Sequence, residues 1–161
     1  MLIALALAAI LFGMTLSFSI DWFRKERVRG SIHTIQTQLQ LARVEALRRN
    51  RACRFTLNEN TKRVRIIDLH EPGTSSDDEE IAYAKLSDGL VFAHPQGGPP
   101  ITLKHMGGPL YETTFAADGS TSSGSGAITL NVDQIYFQIS VYVAGGIHAR
   151  YWNGTNWASG T

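Results

Sequence analysis

The chain has few of the residues that build covalent or catalytic sites. Cys53 is the only cysteine among 161 residues, so an intrachain disulfide is excluded, and so is a zinc site built on a cysteine pair. The sequence contains no phosphate-binding loop of the form G-x-x-x-x-G-K-[ST], no G-x-S-x-G nucleophile elbow and no H-E-x-x-H pair. We therefore predict a protein that is not an enzyme and that needs no cofactor.

Charge is missing from the first twenty residues, Met1 to Ile20. Twenty helical residues extend for about 30 Å, which matches the hydrocarbon core of a bilayer. A cleaved signal peptide is the rival interpretation, but such a peptide has a basic segment before a shorter apolar run and small residues at its end. The sequence around Ile20, Asp21 and Trp22 is a poor cleavage site. Residues 1–20 are thus predicted to be a transmembrane helix.

An amphipathic helix is predicted to continue this apolar run. Apolar residues recur at intervals of three and four, which places them on one helix face. We predict that this face packs on the rest of the protein through Val28, Ile32, Ile35, Leu39, Ala42 and Ala46. Gly30 is the only glycine between Met14 and Asn50, so residues 1–52 are expected to form one rod, with the amphipathic part at 21–52.

The remaining residues, 53–161, alternate polar and apolar side chains in short runs separated by turn residues, which is typical of antiparallel strands. A hairpin is expected from Cys53–Leu57 and Val64–Leu69. The predicted class is α+β, a long N-terminal helix packed on a C-terminal antiparallel β domain. Further strands are expected at 81–84, 91–93, 101–105, 112–115, 127–131, 134–143 and 147–152.

The near-zero net charge of +1 hides an asymmetry along the chain. Up to Arg65 there are twelve Lys and Arg against four Asp and Glu, and beyond it three against ten. Two interpretations stay open: copies could stack with basic parts against acidic parts, or the charges could simply be spread over one surface.

Several polar segments are given structural interpretations. The five histidines show no ligand spacing and are expected at the surface or partly buried. The acidic run 77–80 is expected to be a solvated loop, and the glycine- and serine-rich run 119–126 a flexible turn. Tyr151, Trp152 and Trp157 beside Arg150 could stack on bases, but we favour a structural role in which Trp157 caps the edge of the core.

Four segments resemble the type IV pilin superfamily, and in particular its GspH/FimT-like pseudopilin branch. The apolar start Leu2-Ile3-Ala4-Leu5 resembles the beginning of the pilin helix. The stretch from Leu39 to Asn50 is similar to the helix end of this branch, which leads into a first strand. Segments 115–119 and 145–147 also resemble it, so the likeness covers nearly the whole chain.

This resemblance implies a structural subunit of a type IV pilus or a type II secretion pseudopilus. The implied partners are copies of the same chain, other pilin subunits, the inner-membrane assembly platform and prepilin peptidase. The implied location is the bacterial inner membrane before assembly and a periplasmic or extracellular filament afterwards. The residues implied to pack the filament core are Leu2, Ile3, Ala4, Leu5, Leu7, Ile10, Leu11, Met14 and Leu16.

Departures from the family pattern leave two alternatives open. Ala4 stands near the place of the family glutamate thought to pair with a neighbouring amino terminus. The cations that follow the apolar run favour a cytoplasmic C-terminal side unless a basic leader offsets them, so a single-pass membrane protein with a cytoplasmic β domain is one alternative. The other is a FimT-like DNA-binding minor pilin, with Arg150 and Trp152 as candidate nucleic-acid contacts.

Overall fold

The computed structural model describes the backbone of residues 2–70, 78–132 and 134–159, and within these ranges the side chains from residue 26 onward. One helix, α1 (Leu2–Arg49), precedes every strand. The strands are β1 (Ala52–Asn58), β2 (Arg63–Leu69), β3 (Glu79–Lys85), β4 (Val91–Phe92), β5 (Lys104–Gly107), β6 (Leu110–Phe115), β7 (Thr121–Ser123), β8 (Gly126–Val132), β9 (Ile135–Val141), β10 (Ile147–Trp152) and β11 (Trp157–Ser159).

The described strands form two antiparallel sheets. The first has the order β3-β2-β1-β6-β5, with β7 also paired to β6, and the second has the order β11-β10-β9-β8-β4. The predicted class is confirmed: a single long helix packs on antiparallel β structure. The predicted hairpin is confirmed as β1 and β2, whose residues pair from Ala52 with Leu69 to Asn58 with Arg63.

The helix runs through Gly30 without interruption. Glycine in a helix interior costs about 1 kcal/mol relative to alanine, and neighbouring polar side chains turn back onto the helix here. The Thr34 hydroxyl donates to the carbonyl oxygen of Gly30, and the Ser31 hydroxyl donates to that of Arg27. The helix ends at Arg49, after which Asn50 takes a positive φ of 52°, the left-handed conformation that commonly stops a helix.

Four local expectations need correction. The run 119–126 is not simply a flexible turn, because Thr121–Ser123 forms β7 against β6. Ile101 makes only an isolated bridge to Ile128, and the strand predicted from it begins at Lys104. In the acidic run, Glu79 and Glu80 open β3. Trp157 lies in the edge strand β11 and packs with Trp152 and His94; it is not among the described side chains that pack on the core, so it does not cap the core's edge.

The core lies between the helix and the two sheets. Its largest fully buried side chains come from β1, β2, β6, β8 and β9 as well as from α1. Aliphatic and aromatic side chains from both sheets thus share one apolar interior with the helix. The central residues of this cluster are Ile35, Leu39, Phe55, Leu57, Ile66, Phe115, Ile128, Leu130 and Ile139.

Candidate functional site

The second half of the helix presents one apolar face to the sheets. All six residues predicted for this face are at most 7 % exposed, and the last four are fully buried: Val28, Ile32, Ile35, Leu39, Ala42 and Ala46. Outside this face, Val44 is 52 % exposed and Leu47 is 47 % exposed, although the Leu47 side chain lies beside Gly119. The small alanines near the end of the helix let its backbone approach the sheet closely.

Arg49 fastens the end of the helix to the first sheet. Its Nη1 lies 2.8 Å from Asp68 Oδ2 on β2 and 3.1 Å from Glu79 Oε2 on β3, and its Nε lies 2.9 Å from Glu45 Oε2. Asp68 is fully buried, so its charge requires a partner of opposite sign. The guanidinium supplies that partner and at the same time joins three elements.

Ionisation around this anchor follows from the same contacts. Hydrogen bonds from Arg48 and Arg49 lower the pKa of the Glu45 carboxyl, because they stabilise its charged form. Burial raises the pKa of the Cys53 thiol to about 11, and the negative charge of Asp68 adds to that effect. Cys53 lies opposite Asp68 in the β1–β2 pairing. The thiol is therefore neutral at physiological pH and is not a reactive nucleophile.

Arg43 holds one turn against the helix, and a second turn lies against the same carbonyl oxygen. Its Nε donates a hydrogen bond of 3.1 Å to the carbonyl oxygen of Gly119, in the turn between β6 and β7. Gly145, in the turn between β9 and β10, contacts the same carbonyl oxygen. Both glycines have a φ of 78°, a conformation that glycine adopts without strain. These are the glycines of the two segments that resemble the pilin branch.

A groove of about 940 Å³ separates the helix from the second sheet. It combines cationic and aromatic side chains, and among the described residues no carboxylate lines it. His148 packs edge-to-face on Tyr142, with ring centroids 5.5 Å apart. The lining residues are Arg29, Ile32, His33, Gln36, Phe137, Tyr142, Ile147, His148, Ala149, Arg150, Tyr151 and Ser159. This arrangement suits an anionic ligand with planar groups.

The two candidate nucleic-acid contacts occupy different settings. Arg150 lines the groove, and its Nη2 donates to Gln138 Oε1 at 2.8 Å and to Ser140 Oγ at 3.4 Å. Trp152 is absent from the groove lining and packs on Trp157, with ring centroids 5.4 Å apart. The structure thus brings Arg150 together with Arg29 and separates it from the tryptophan that the sequence placed beside it.

The predicted filament-core residues lie outside the described side chains. Their backbone belongs to α1, and their packing in a filament stays a prediction. These residues are Leu2, Ile3, Ala4, Leu5, Leu7, Ile10, Leu11, Met14 and Leu16. Within the part of the chain whose side chains are described, no helix has the length and apolar character needed to cross a membrane.

Part of the charge asymmetry along the chain is neutralised by ion pairs inside the fold. Cations of the first part meet carboxylates of the second: Arg49 with Asp68, Arg54 Nε with Glu112 Oε2 at 3.3 Å, and Arg65 Nη1 with Glu80 Oε2 at 3.3 Å. Arg54 lies on β1 and reaches Glu112 on the neighbouring strand β6, and Arg65 lies on β2 and reaches Glu80 on the neighbouring strand β3. Stacking of copies is therefore not needed to neutralise these groups.

One cluster was missed by the sequence reasoning. Asp68, His70 and Glu79 each place a potential ligand atom within 4.8 Å of the others. The signal available in the sequence was weak: Asp68 and His70 are two residues apart, but His70 lies beyond the end of the strand that carries Asp68. Glu79 joins them only because β3 pairs back on β2, and no local pattern specifies that pairing.

Known proteins share both the sequence pattern and the architecture of this chain. A family model described as type II transport protein GspH matches residues 31–145. The comparison with curated proteins gave no match.

Two crystal structures of the type IV minor pilin FimU from Pseudomonas aeruginosa PAO1 are similar to this chain. The crystal in space group P65 gives a TM-score of 0.54 at 15 % identity, covering 80 % of this chain and 95 % of that one. The crystal in space group P21 gives a TM-score of 0.51 at 17 % identity, covering 76 % and 87 %. At this level of identity the likeness shows a shared fold.

Proposed function

This chain belongs to the GspH family of type II transport proteins, and from that membership we propose that it is a non-enzymatic, filament-forming subunit of a type IV pilus or of a type II secretion pseudopilus. The observation that carries the proposal is the division of one helix into two parts. Described core residues on α1 begin at Val28, whereas the uncharged residues 1–20 precede that part. A helix of this kind can hold a folded β domain and still offer an apolar rod to other subunits.

In the proposed filament, the rods bundle and replace lipid contacts by contacts between copies. The residues assigned to this bundle are Leu2, Ile3, Ala4, Leu5, Leu7, Ile10, Leu11, Met14 and Leu16. Before assembly the chain would lie in the bacterial inner membrane, where prepilin peptidase and the assembly platform would act on it. After assembly it would lie in a periplasmic or extracellular filament with its own copies and other pilins.

The test is electron cryo-microscopy of sheared extracellular material from cells that express the full gene. Helical filaments whose density fits this chain would support a shaft subunit. Recovery in the membrane fraction alone would count against that role. It would leave a minor initiating subunit or the single-pass alternative, and detection of a cleaved leader by mass spectrometry would separate these two.

A double variant and a control test the proposed filament core with the same fractionation. Leu7→Ala with Leu11→Ala keeps the segment apolar, so membrane insertion is expected to persist, but it removes packing volume between rods. The amount of protein in the sheared fraction should fall while the membrane fraction stays unchanged. Thr37→Ala, at an exposed helix position, is the control and should leave both fractions unchanged.

DNA binding is the second candidate, and the cationic groove favours it. Arg29 and Arg150 line the groove with two histidines and no described carboxylate. Binding through phosphates should weaken steeply as salt rises, and Arg29→Ala with Arg150→Ala should lower the salt slope by about 2. The control is Arg51→Ala, because Arg51 is exposed and outside the groove. Binding that is absent, insensitive to salt or equal in the double variant and its control would overturn this candidate.

A further inference from the structure

We propose that Asp68, His70 and Glu79 form a binding site for a divalent metal ion, namely zinc. Asp68 and Glu79 are partners across the β2–β3 pairing, so their side chains leave the sheet on the same side. His70 lies one residue beyond the end of β2, close enough for a ring nitrogen to join the two carboxylates. One ligand atom from each residue lies within 4.8 Å of the others, which is within reach of a single ion after small side-chain adjustments.

A strand irregularity creates this arrangement. The register shifts between Ile66, which pairs with Ala82, and Ile67, which pairs with Glu80. Regular pairing from Ile66 onward would have set Asp68 opposite Glu80. The extra residue in β3 brings Glu79 opposite Asp68 instead. β-Bulges often re-aim side chains in this way at functional positions.

Asp68 provides an independent indication that a ligand is accommodated here. Its side chain is fully buried. Oδ2 accepts a hydrogen bond from Arg49, whereas Oδ1 is buried and has no hydrogen-bond partner among the described residues. A buried carboxylate oxygen without a partner is costly. A cation held jointly with His70 and Glu79 would satisfy it.

Arg49 is compatible with such an ion. It contacts Oδ2 of Asp68 and Oε2 of Glu79, and each carboxylate keeps its other oxygen, since a carboxylate offers about four acceptor positions. Three carboxylates, from Glu45, Asp68 and Glu79, face two guanidiniums, from Arg48 and Arg49, so the cluster retains one net negative charge. Carboxylates that bind metals are usually oriented by further hydrogen bonds, and Arg49 would supply them.

The donor set selects the class of metal. One imidazole nitrogen and two carboxylate oxygens are ligands that zinc accepts, and three protein ligands leave a fourth position for water. Calcium prefers six to eight oxygen ligands and rarely takes imidazole. Zinc is therefore the ion to which the proposal commits, with cobalt as its spectroscopic substitute.

The experiment is isothermal titration calorimetry of the untagged full-length chain in detergent with zinc chloride. One equivalent should bind with an affinity that falls at least about tenfold in His70→Ala, since even the loss of an outer-shell partner costs that much. Glu79→Gln should show the same loss. Both side chains are exposed, so these variants should fold, and unchanged circular dichroism would verify it. His33→Ala, at an exposed helix position, is the matched control and should bind like the unmodified protein.

Cobalt gives a second readout. The visible absorption of the bound ion should appear in the unmodified chain and in His33→Ala, and it should be lost in His70→Ala. The proposal is overturned if zinc does not bind, or if His70→Ala binds it as tightly as the control. Saturable binding of calcium without binding of zinc would equally overturn it. None of these measurements depends on filament formation.

Discussion

Gly145 lies against the carbonyl oxygen of Gly119, so closely that a side chain at position 145 would overlap that oxygen. The two glycines belong to different sheets, since the turn of Gly119 joins β6 to β7 and that of Gly145 joins β9 to β10. Arg43 donates to the same oxygen from the helix. One backbone carbonyl is thus the meeting point of both sheets and α1.

The first prediction concerns this meeting point. Gly145→Ala should lower the free energy of unfolding by about 2–4 kcal/mol, because it adds a steric overlap to the strain of a positive φ. Gly154→Ala is the control, since Gly154 has a φ of 99° but nothing within 4 Å of an added Cβ. It should cost only about 1–2 kcal/mol. Equal losses in urea unfolding of the full chain in detergent would mean that the two turns do not meet as described.

The second prediction concerns the helix anchor. Arg49→Met should clearly lower the urea midpoint of unfolding, because it leaves the buried Asp68 carboxylate without its cation. Arg48→Met removes a cation whose side chain is 62 % exposed, and it should shift the midpoint much less. Adding Asp68→Asn to Arg49→Met should recover part of the loss. A double variant that is less stable than Arg49→Met alone would contradict this account.

The third prediction concerns pH. The pKa of Cys53 is raised in the folded state to about 11 from an ordinary value of 9.0, so above pH 9 the unfolded chain releases this proton before the folded one does. The contribution to stability is therefore complete below pH 9 and is lost as the pH rises towards 11. Urea midpoints at about pH 8 and about pH 10.5 should differ more in the unmodified protein than in Cys53→Ala. If the urea midpoint changed equally between the two pH values in both proteins, a buried neutral thiol would be excluded.

The fourth prediction compares two leucines on one helix. Leu39 is fully buried and Leu47 is 47 % exposed. Leu39→Ala should cost about 2–5 kcal/mol because it opens a cavity in a close-packed core, whereas Leu47→Ala should cost about 1 kcal/mol or less. Thermal unfolding followed by circular dichroism distinguishes these values. Similar melting temperatures for the two variants would contradict the orientation of the helix face.

Much of the architecture could be predicted from the sequence because its periodicities are long and regular. Apolar spacing from Val28 to Ala46 specifies one helix face without knowledge of its partner, and the turn at Asn58–Thr61 specifies its hairpin. The strands β7 and β11 were missed because each has only three residues. Their positions depend on partner strands and not on their own composition.

The metal-ligand cluster could not be predicted because it depends on how two strands pair. Asp68 and His70 are two residues apart in the sequence, but the bulge that brings Glu79 opposite Asp68 follows from how β3 packs. Arg150 shows the same limit. The sequence placed it beside aromatic residues of its own strand, whereas its cationic counterpart in the groove, Arg29, lies on the helix.

Helix α1 precedes every described strand in the sequence, but it forms the core together with strands that are synthesised after it. Contacts of α1 reach β1, β2, β6, β8 and β10, and the Arg43 bond to Gly119 joins residues 76 positions apart. Contacts between such distant residues slow folding. During synthesis the helix face from Val28 to Ala46 emerges before the strands that cover it, and it stays exposed until β10 has been synthesised. This apolar stripe is therefore the part of the nascent chain that most needs protection from aggregation.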